Sequence, residues 1–77
     1  MDQKQLAQKI REARRQGETY LNLVEEGLTV LPPEIGKLTQ LVKLNLAGNR
    51  WESLPRELSN LTNLTDLSLV NTQLTEL

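Results

Sequence analysis

A repeat of 23 residues is the feature that most constrains the fold of this chain. When the sequence is shifted against itself by that length, apolar and turn residues superpose in three successive units. The clearest columns are Leu21, Leu44 and Leu67; Leu23, Leu46 and Leu69; and Leu31, Leu54 and Leu77. A period of about 20–50 residues is typical of solenoids, in which each unit packs against its neighbours. The repeat therefore predicts a stack of similar units.

Each unit contains an alternating segment, which predicts a half-buried strand. In "KLNLA", Leu44 and Leu46 fall on one face and the other three residues on the opposite face. The counterparts are "YLNLV" in the first unit and "DLSLV" in the third. We therefore expect strands near residues 20–24, 43–47 and 66–70. Strands offset by a constant repeat run parallel, so each pair needs a crossover connection.

The segments "PPEIGKLTQ" and "PRELSNLTN" are expected to form the crossovers. Each opens with proline, which suits the first turn of a helix, and each is about two turns long. Ile35 with Leu38, and Leu58 with Leu61, then point inward at a spacing of three residues. Asn49 falls where the chain leaves a strand, and its side-chain amide can bond neighbouring backbone groups there.

Residues 2–16 are predicted to form an α-helix ahead of the repeats. Asp2 is a suitable N-cap, Gln5 completes a capping pair, and Gly17 follows the last turn. A narrow apolar stripe runs along the helix at Leu6, Ile10 and Ala13. Because the first unit of a solenoid has no neighbour on its outer side, we expect this stripe to cover it.

The best-formed unit, residues 41–63, reads L-x-x-L-x-L-x-x-N-x-φ-x-x-L-P-x-x-L-x-x-L, where φ is apolar. This pattern resembles the leucine-rich repeat family in its bacterial 23-residue form. The resemblance covers residues 18–77, with a first unit at 18–40 and a partial third unit at 64–77, and leaves 1–17 as a capping helix. It implies an α/β fold, a right-handed solenoid with a short parallel sheet behind an N-terminal cap.

Three positions depart from the family pattern, and the first is Glu18, which stands where the family has leucine. Glu26 and Thr72 stand where the family has asparagine, so its asparagine ladder is expected to have Asn49 as its one true rung. The segment "GETYLNL", together with the helix before it, resembles the start of the repeat domain in bacterial Roco-type proteins. That second resemblance implies a regulatory part of a Roco-like GTPase, whose nucleotide chemistry lies in a domain outside this sequence.

The composition argues against catalysis. The chain has no histidine and no cysteine. It therefore lacks the commonest general base, the commonest metal ligand, and any disulfide or thiolate metal site. No apolar stretch approaches the roughly 18 residues of a membrane span, and the polar N-terminus does not resemble a signal peptide. We expect a cytoplasmic, non-enzymatic protein that uses no cofactor or metal.

The charge is unevenly divided, although the net charge is only −1. Residues 1–17 hold five basic and two acidic residues, whereas residues 18–77 hold four basic and eight acidic residues. A basic helix face can contact nucleic acid, anionic lipid or an acidic partner. It is also the solvated face that a capping helix needs, and we favour this interpretation because no aromatic residue accompanies the charges. Nucleic acid and membrane are therefore not expected as partners.

The strand residues that alternate with the leucines are expected to form a concave face. In the leucine-rich repeat family this face binds proteins or peptides, which implies a protein–protein interaction module. The predicted partner-binding residues are Tyr20, Asn22, Val24, Glu25, Lys43, Asn45, Ala47, Asp66, Ser68, Val70 and Asn71. Tyr20, the only aromatic residue on this face, is the best candidate for an anchor. Trp51 is assigned to the core.

An alternative places the working surface at the outer side of the third unit. The predicted self-association residues are Leu64, Leu67, Leu69, Leu74 and Leu77, which no later unit covers in this sequence. Burial of a leucine is worth roughly 1.5–3 kcal/mol, so losing half of that for the whole set costs about 5 kcal/mol. Small domains are stable by only about 5–15 kcal/mol. We therefore expect a homodimer through this end, with two-fold symmetry because that closes the assembly.

Overall fold

The computed structural model describes residues 1–72. One α-helix precedes three strands that alternate with two short 3₁₀ helices. In chain order these elements are α1 (Gln3–Gln16), β1 (Tyr20–Asn22), crossover 1 (Pro33–Lys37), β2 (Lys43–Asn45), crossover 2 (Arg56–Asn60) and β3 (Asp66–Ser68). The predicted order of a helix followed by strands and helical crossovers is confirmed.

The ends of α1 follow the predicted capping chemistry. The Asp2 carboxylate accepts a hydrogen bond from the backbone N of Gln5 at 2.8 Å, and the Gln5 side-chain oxygen accepts one from the backbone N of Asp2 at 3.0 Å. Gly17 ends the helix in the left-handed conformation, with φ of 66°. The buried face of the helix consists of Leu6, Ile10 and Ala13. These residues join the core of the repeats, so α1 packs on the outer side of the first unit.

The three strands form one parallel sheet in the order β1-β2-β3. Its register pairs each residue with the residue 23 positions later, so that Leu21 lies beside Leu44 and Leu44 beside Leu67. The expected parallel sheet is therefore confirmed. Below it lies a continuous core of leucines that extends from α1 into the second unit.

Each strand is shorter than predicted, with three residues instead of five. The Asn22 side-chain oxygen accepts a hydrogen bond from the backbone N of Val24 at 3.1 Å, and the Asn45 oxygen accepts one from Ala47 at 3.0 Å. Such local bonds occupy these two N–H groups, which then cannot take part in the regular pairing of the strands. The alternation of apolar residues continues beyond the strands and therefore overestimates their length.

The crossovers are 3₁₀ helices, and each follows a proline in extended conformation. Ile35, Leu38 and Leu61 are buried as expected, and Leu58 is partly buried against the core. Trp51 is also a core residue, only 3 % exposed. Its indole N–H donates to the carbonyl of Leu46 at 2.9 Å. A tryptophan thus fills a leucine column without leaving its one polar atom unpaired.

Asn49 is 1 % exposed and connects the first two units through hydrogen bonds. Its side-chain oxygen accepts from the backbone N of Glu26 at 2.9 Å and of Leu28 at 3.0 Å. Its amide nitrogen donates to the carbonyls of Leu23 at 2.6 Å and Leu46 at 3.2 Å. One side chain therefore satisfies buried backbone groups of two consecutive turns, as expected for the asparagine of this repeat.

Gly36 allows the two crossovers to approach closely. A Cβ at this position would lie 2.7 Å from the carbonyl oxygen of Glu57 and 2.8 Å from its Cβ. Both are shorter than ordinary van der Waals contacts, and one of the two atoms belongs to the backbone. The counterpart of Gly36 one repeat later is Ser59, which is exposed.

We predict that Asn49→Ala lowers the free energy of unfolding by about 3 kcal/mol, because the buried N–H of Leu28 and the partly buried N–H of Glu26 lose their acceptor. Asn60→Ala is a suitable control, because Asn60 is exposed and a surface change of this kind costs at most about 0.5 kcal/mol. Urea unfolding followed by Trp51 fluorescence measures both. Equal stability of the two variants would contradict the role of Asn49.

We also predict that Gly36→Ala destabilises the protein by about 1–3 kcal/mol, because the methyl group overpacks the contact between the crossovers. The sign is informative, since replacing glycine by alanine within a helix ordinarily stabilises it. Ser59→Ala, at the same repeat position, tests the local effect without the close contact. Helix propensity alone would make Gly36→Ala the more stable of the two variants. Urea unfolding should instead show that it is the less stable one, and a stabilised Gly36→Ala variant contradicts the prediction.

Candidate interaction surface

The register of the sheet places six of the predicted binding residues in two rows across the strands. The first row is Tyr20, Lys43 and Asp66, and the second row is Asn22, Asn45 and Ser68. Because side chains alternate along a strand, both rows lie on the face opposite the buried leucines. All of these residues except Asn22 line a shallow depression of about 440 Å³ above the sheet. We call this depression the sheet surface.

Two opposite charges stand side by side on the sheet surface. Lys43 is paired in register with Asp66, and neighbouring strands lie about 4.8 Å apart. Among residues 1–72, the ion pairs are Arg15 with Glu12 and the N-terminal amine with Glu26. In the described part of the chain, Lys43 and Asp66 therefore have no ionic partner within 4 Å. A bound molecule can meet a cation and a carboxylate in adjacent positions.

Tyr20 lies between the sheet surface and a second depression. Its side chain is 48 % exposed. It also borders a space of about 310 Å³ between α1 and β1, where Lys9, Glu12 and Gln16 form the helical side. Sequence reasoning missed these helical residues. Their spacing of three and four positions puts them on one face of α1, but no pattern in the sequence shows that this face borders the sheet.

The two asparagines of the second row offer hydrogen-bond donors. Their side-chain oxygens are already occupied by the backbone N–H groups of Val24 and Ala47. The NH₂ end of each amide is therefore the group that remains for a partner. Asn22 is exposed and Asn45 is half-buried.

The other predicted binding residues lie beyond the strands, at the turn out of the sheet. Glu25, Gly48 and Asn71 all adopt the left-handed conformation, with φ of 52°, 75° and 58°. A Cβ on Gly48 would lie 2.6 Å from Cγ of Glu25, so the Glu25 side chain covers this glycine. The column beside them is Val24, Ala47 and Val70, whose last member is exposed. The structure thus separates these two columns from the depression that the first two rows line.

The outer edge of the sheet is partly apolar. Among the described residues, β3 pairs with β2 alone, and Leu67 is 42 % exposed. Leu64 and Leu69 are partly buried and pack against the core. Leu74 and Leu77, also predicted for self-association, lie outside the described residues. We call Leu64, Leu67 and Leu69 the edge leucines.

A cluster of metal ligands and a membrane-spanning helix are both absent from the described part of the chain. Residues 1–72 contain no group of three or more acidic, histidine or cysteine side chains arranged to hold a metal ion. Within the same range, no helix combines the length and apolar character that crossing a membrane requires.

Comparison with known proteins places the repeats in a described family. A family model described as "Leucine rich repeat" matches residues 19–74. A solved structure of a leucine-rich repeat protein from Leptospira interrogans is similar to this chain, with a TM-score of 0.73 and 38 % sequence identity. The match covers 87 % of this chain and 18 % of that protein, so this chain corresponds to a small part of the length of its relative. No curated protein matches.

Proposed function

The chain belongs to the leucine-rich repeat family, and from this we propose that it binds a protein or peptide on its sheet surface. The observation that carries the proposal is the row of Tyr20, Lys43 and Asp66, in which an exposed ring stands beside two charges without ionic partners in the described residues. Leucine-rich repeats are in general protein-interaction modules, and the proposal assigns no catalysis to this chain.

The sheet surface is well suited to binding because its backbone is already ordered. The strands and the Asn49 hydrogen bonds hold the rows in place, so little conformational entropy is lost when a partner binds. The Tyr20 ring can bury apolar area and still donate a hydrogen bond. Lys43 and Asp66 favour a partner that presents an acidic group beside a basic one.

In this proposal, α1 acts as the cap of the first unit, and the chain divides into the helix at 1–17 and the repeats at 18–77. The burial of Leu6, Ile10 and Ala13 against the repeats supports that role. Membership in a Roco-type GTPase and a cytoplasmic location stay predictions from the sequence.

We predict that Tyr20→Ala weakens partner binding by about 30-fold or more, the effect of losing an aromatic anchor worth about 2 kcal/mol. Peptides selected from a displayed random library against the immobilised protein serve as ligands, and their affinities are measured by fluorescence polarisation. Val30→Ala is the control, because Val30 is similarly exposed at 47 % and does not border the sheet surface. Peptides that bind both variants like the unmodified chain would argue against this surface.

The second candidate function is self-association through the edge leucines. The exposure of Leu67 on a strand with one neighbour in the described residues favours it. A two-fold axis would set the β3 strands of two copies antiparallel. If the axis passes beside Leu67, Asp66 of each copy lies opposite Ser68 of the other, so no carboxylates oppose each other. The exposed leucines would meet at the centre.

We predict that Leu67→Asp shifts a dimer to monomer, because it places two like charges at the centre of that contact. Val30→Asp is matched to it in exposed fraction and in charge change, and it should leave the association unchanged. Sedimentation equilibrium between about 1 and 100 μM measures the masses. A monomer mass for the unmodified chain throughout this range rejects self-association and leaves the sheet-surface proposal untouched.

A further inference from the structure

A third depression lies between α1 and crossover 1. It has a volume of about 350 Å³ and is lined by Ala7, Ile10, Arg11, Arg14, Glu34 and Lys37. We call it the basic groove. Its floor is apolar, formed by the buried Ile10 and the half-buried Ala7. The ends of the two arginines, Glu34 and Lys37 are exposed around it.

The groove concentrates positive charge on a chain whose net charge is −1. Three cations, Arg11, Arg14 and Lys37, share it with one carboxylate, that of Glu34. In residues 1–72 none of the three cations lies within 4 Å of a carboxylate, since the ion pairs there involve other residues. The groove therefore has a local excess of positive charge that the described residues do not neutralise by contact.

Ordinary helix chemistry accounts for part of this charge but not all of it. Arg14 lies in the last turn of α1, where a cation interacts favourably with the helix dipole. Lys37, however, comes from crossover 1, on the other side of the groove. The repeat pattern does not require a lysine there, because its counterpart one repeat later is Asn60. Two separate elements thus bring cations to one place.

The basic groove is distinct from the sheet surface. Residues 7, 10, 11 and 14 of α1 line the groove, whereas residues 9, 12, 13 and 16 border the depression beside Tyr20. At 3.6 residues per turn, these two sets fall on opposite sides of the helix. A ligand in one depression does not occupy the other.

We propose that the basic groove binds an acidic segment of a partner protein. The carboxylates of the acidic segment pair with Arg11, Arg14 and Lys37. Each of the two guanidinium groups can hold a carboxylate with two parallel hydrogen bonds. A neighbouring apolar side chain of the segment packs on Ala7 and on the methylene stems of the arginines. The volume is near the lower end of the roughly 300–1,000 Å³ of small-ligand sites, which suits one or two side chains.

Other anionic partners fit the groove less well. A phosphate group would meet the charges of the groove but would leave its apolar floor, Ala7 and Ile10, unused. The residues that line the groove include no aromatic side chain on which a base can stack and no exposed large apolar residue to enter a membrane. An acidic peptide uses both the charge and the small apolar floor.

The first test uses a fluorescein-labelled peptide of sequence Glu-Leu-Asp-Glu-Leu-Glu and its uncharged counterpart, Gln-Leu-Asn-Gln-Leu-Gln. Fluorescence polarisation at about 50 mM salt should show that the acidic peptide binds and the uncharged peptide does not. Binding of the acidic peptide should weaken at about 200 mM salt, because exposed charges are screened. Arg14→Gln combined with Lys37→Gln should weaken binding about tenfold, at up to about fivefold for each exposed ion pair. Binding unaffected by the double variant overturns the proposal.

The control for that variant is Arg15→Gln combined with Arg50→Gln. It removes the same number of charges outside both the groove and the sheet surface, one from the Glu12 ion pair and one from an exposed residue. Its affinity for the acidic peptide should stay within twofold of the unmodified chain. An equal loss in both double variants would show attraction by net charge alone and overturn the groove. A loss only in the control would place the peptide outside the groove and would also overturn the proposal.

A variant that gains affinity provides a test that does not depend on disruption. Glu34→Gln removes the carboxylate of the groove and should tighten binding of the acidic peptide about threefold, within the range of one exposed charge pair. Glu52→Gln makes the same charge change at an exposed site outside the groove and should have little effect. Equal affinities of the two variants contradict the proposal. So does binding of ten-nucleotide oligothymidine or phosphatidylserine vesicles in the absence of peptide binding.

Discussion

The parallel pairing of strands at a constant offset governs the rest of this structure. Because each residue of β2 lies between residues 23 positions before and after it, side chains with the same repeat position form columns. The leucine columns make the core, and the columns on the opposite face make the sheet surface. Once the register is set, the position of Tyr20 in one row with Lys43 and Asp66 follows without any further contact to place it.

Such a stack buries backbone N–H and C=O groups wherever the chain leaves the sheet, and these groups need hydrogen-bond partners. In the second unit, Asn49 supplies them. The amide of Asn49 can accept and donate, so it reaches N–H groups and carbonyls of two turns at once. Thr72 at the next equivalent position is buried too, and its hydroxyl donates to Leu69 at 2.9 Å. That bond corresponds to the one from Asn49 to Leu46. A threonine can thus replace part of the asparagine's bonding but lacks its second polar atom.

The sequence predicts what is periodic and fails where local or aperiodic contacts decide. The register, the direction of the strands and the inward residues all follow from the repeat, and the ends of α1 follow from capping chemistry. The strand lengths were wrong: in β1 and β2, Asn22 and Asn45 accept hydrogen bonds from the backbone N–H groups of Val24 and Ala47, which then cannot take part in strand pairing. Hydrophobic alternation carries no information about such bonds.

The candidate sites also divide into a periodic part, which the sequence predicts, and an aperiodic part, which it does not. The two rows above the sheet are periodic and could be predicted, whereas the depression between α1 and Tyr20 could not. The basic groove was also not predicted, because it depends on how α1 crosses the first unit. In the sequence, Arg11 and Arg14 are typical of the solvated face of a helix. Only the structure shows that Lys37 lines the same groove.

The packing of α1 has a consequence for the basic groove and for the depression beside Tyr20. Three buried side chains hold this helix against the first unit, and its two flanks border the basic groove and the depression beside Tyr20. The helix position therefore sets the width of both. A partner that reaches around α1 and contacts both sides would bind more tightly. Once its first segment is bound, the effective concentration of its second segment at the other site is high. Because the groove is basic and the repeats carry net negative charge, such a partner needs an acidic segment at one end and a mixed or basic segment at the other.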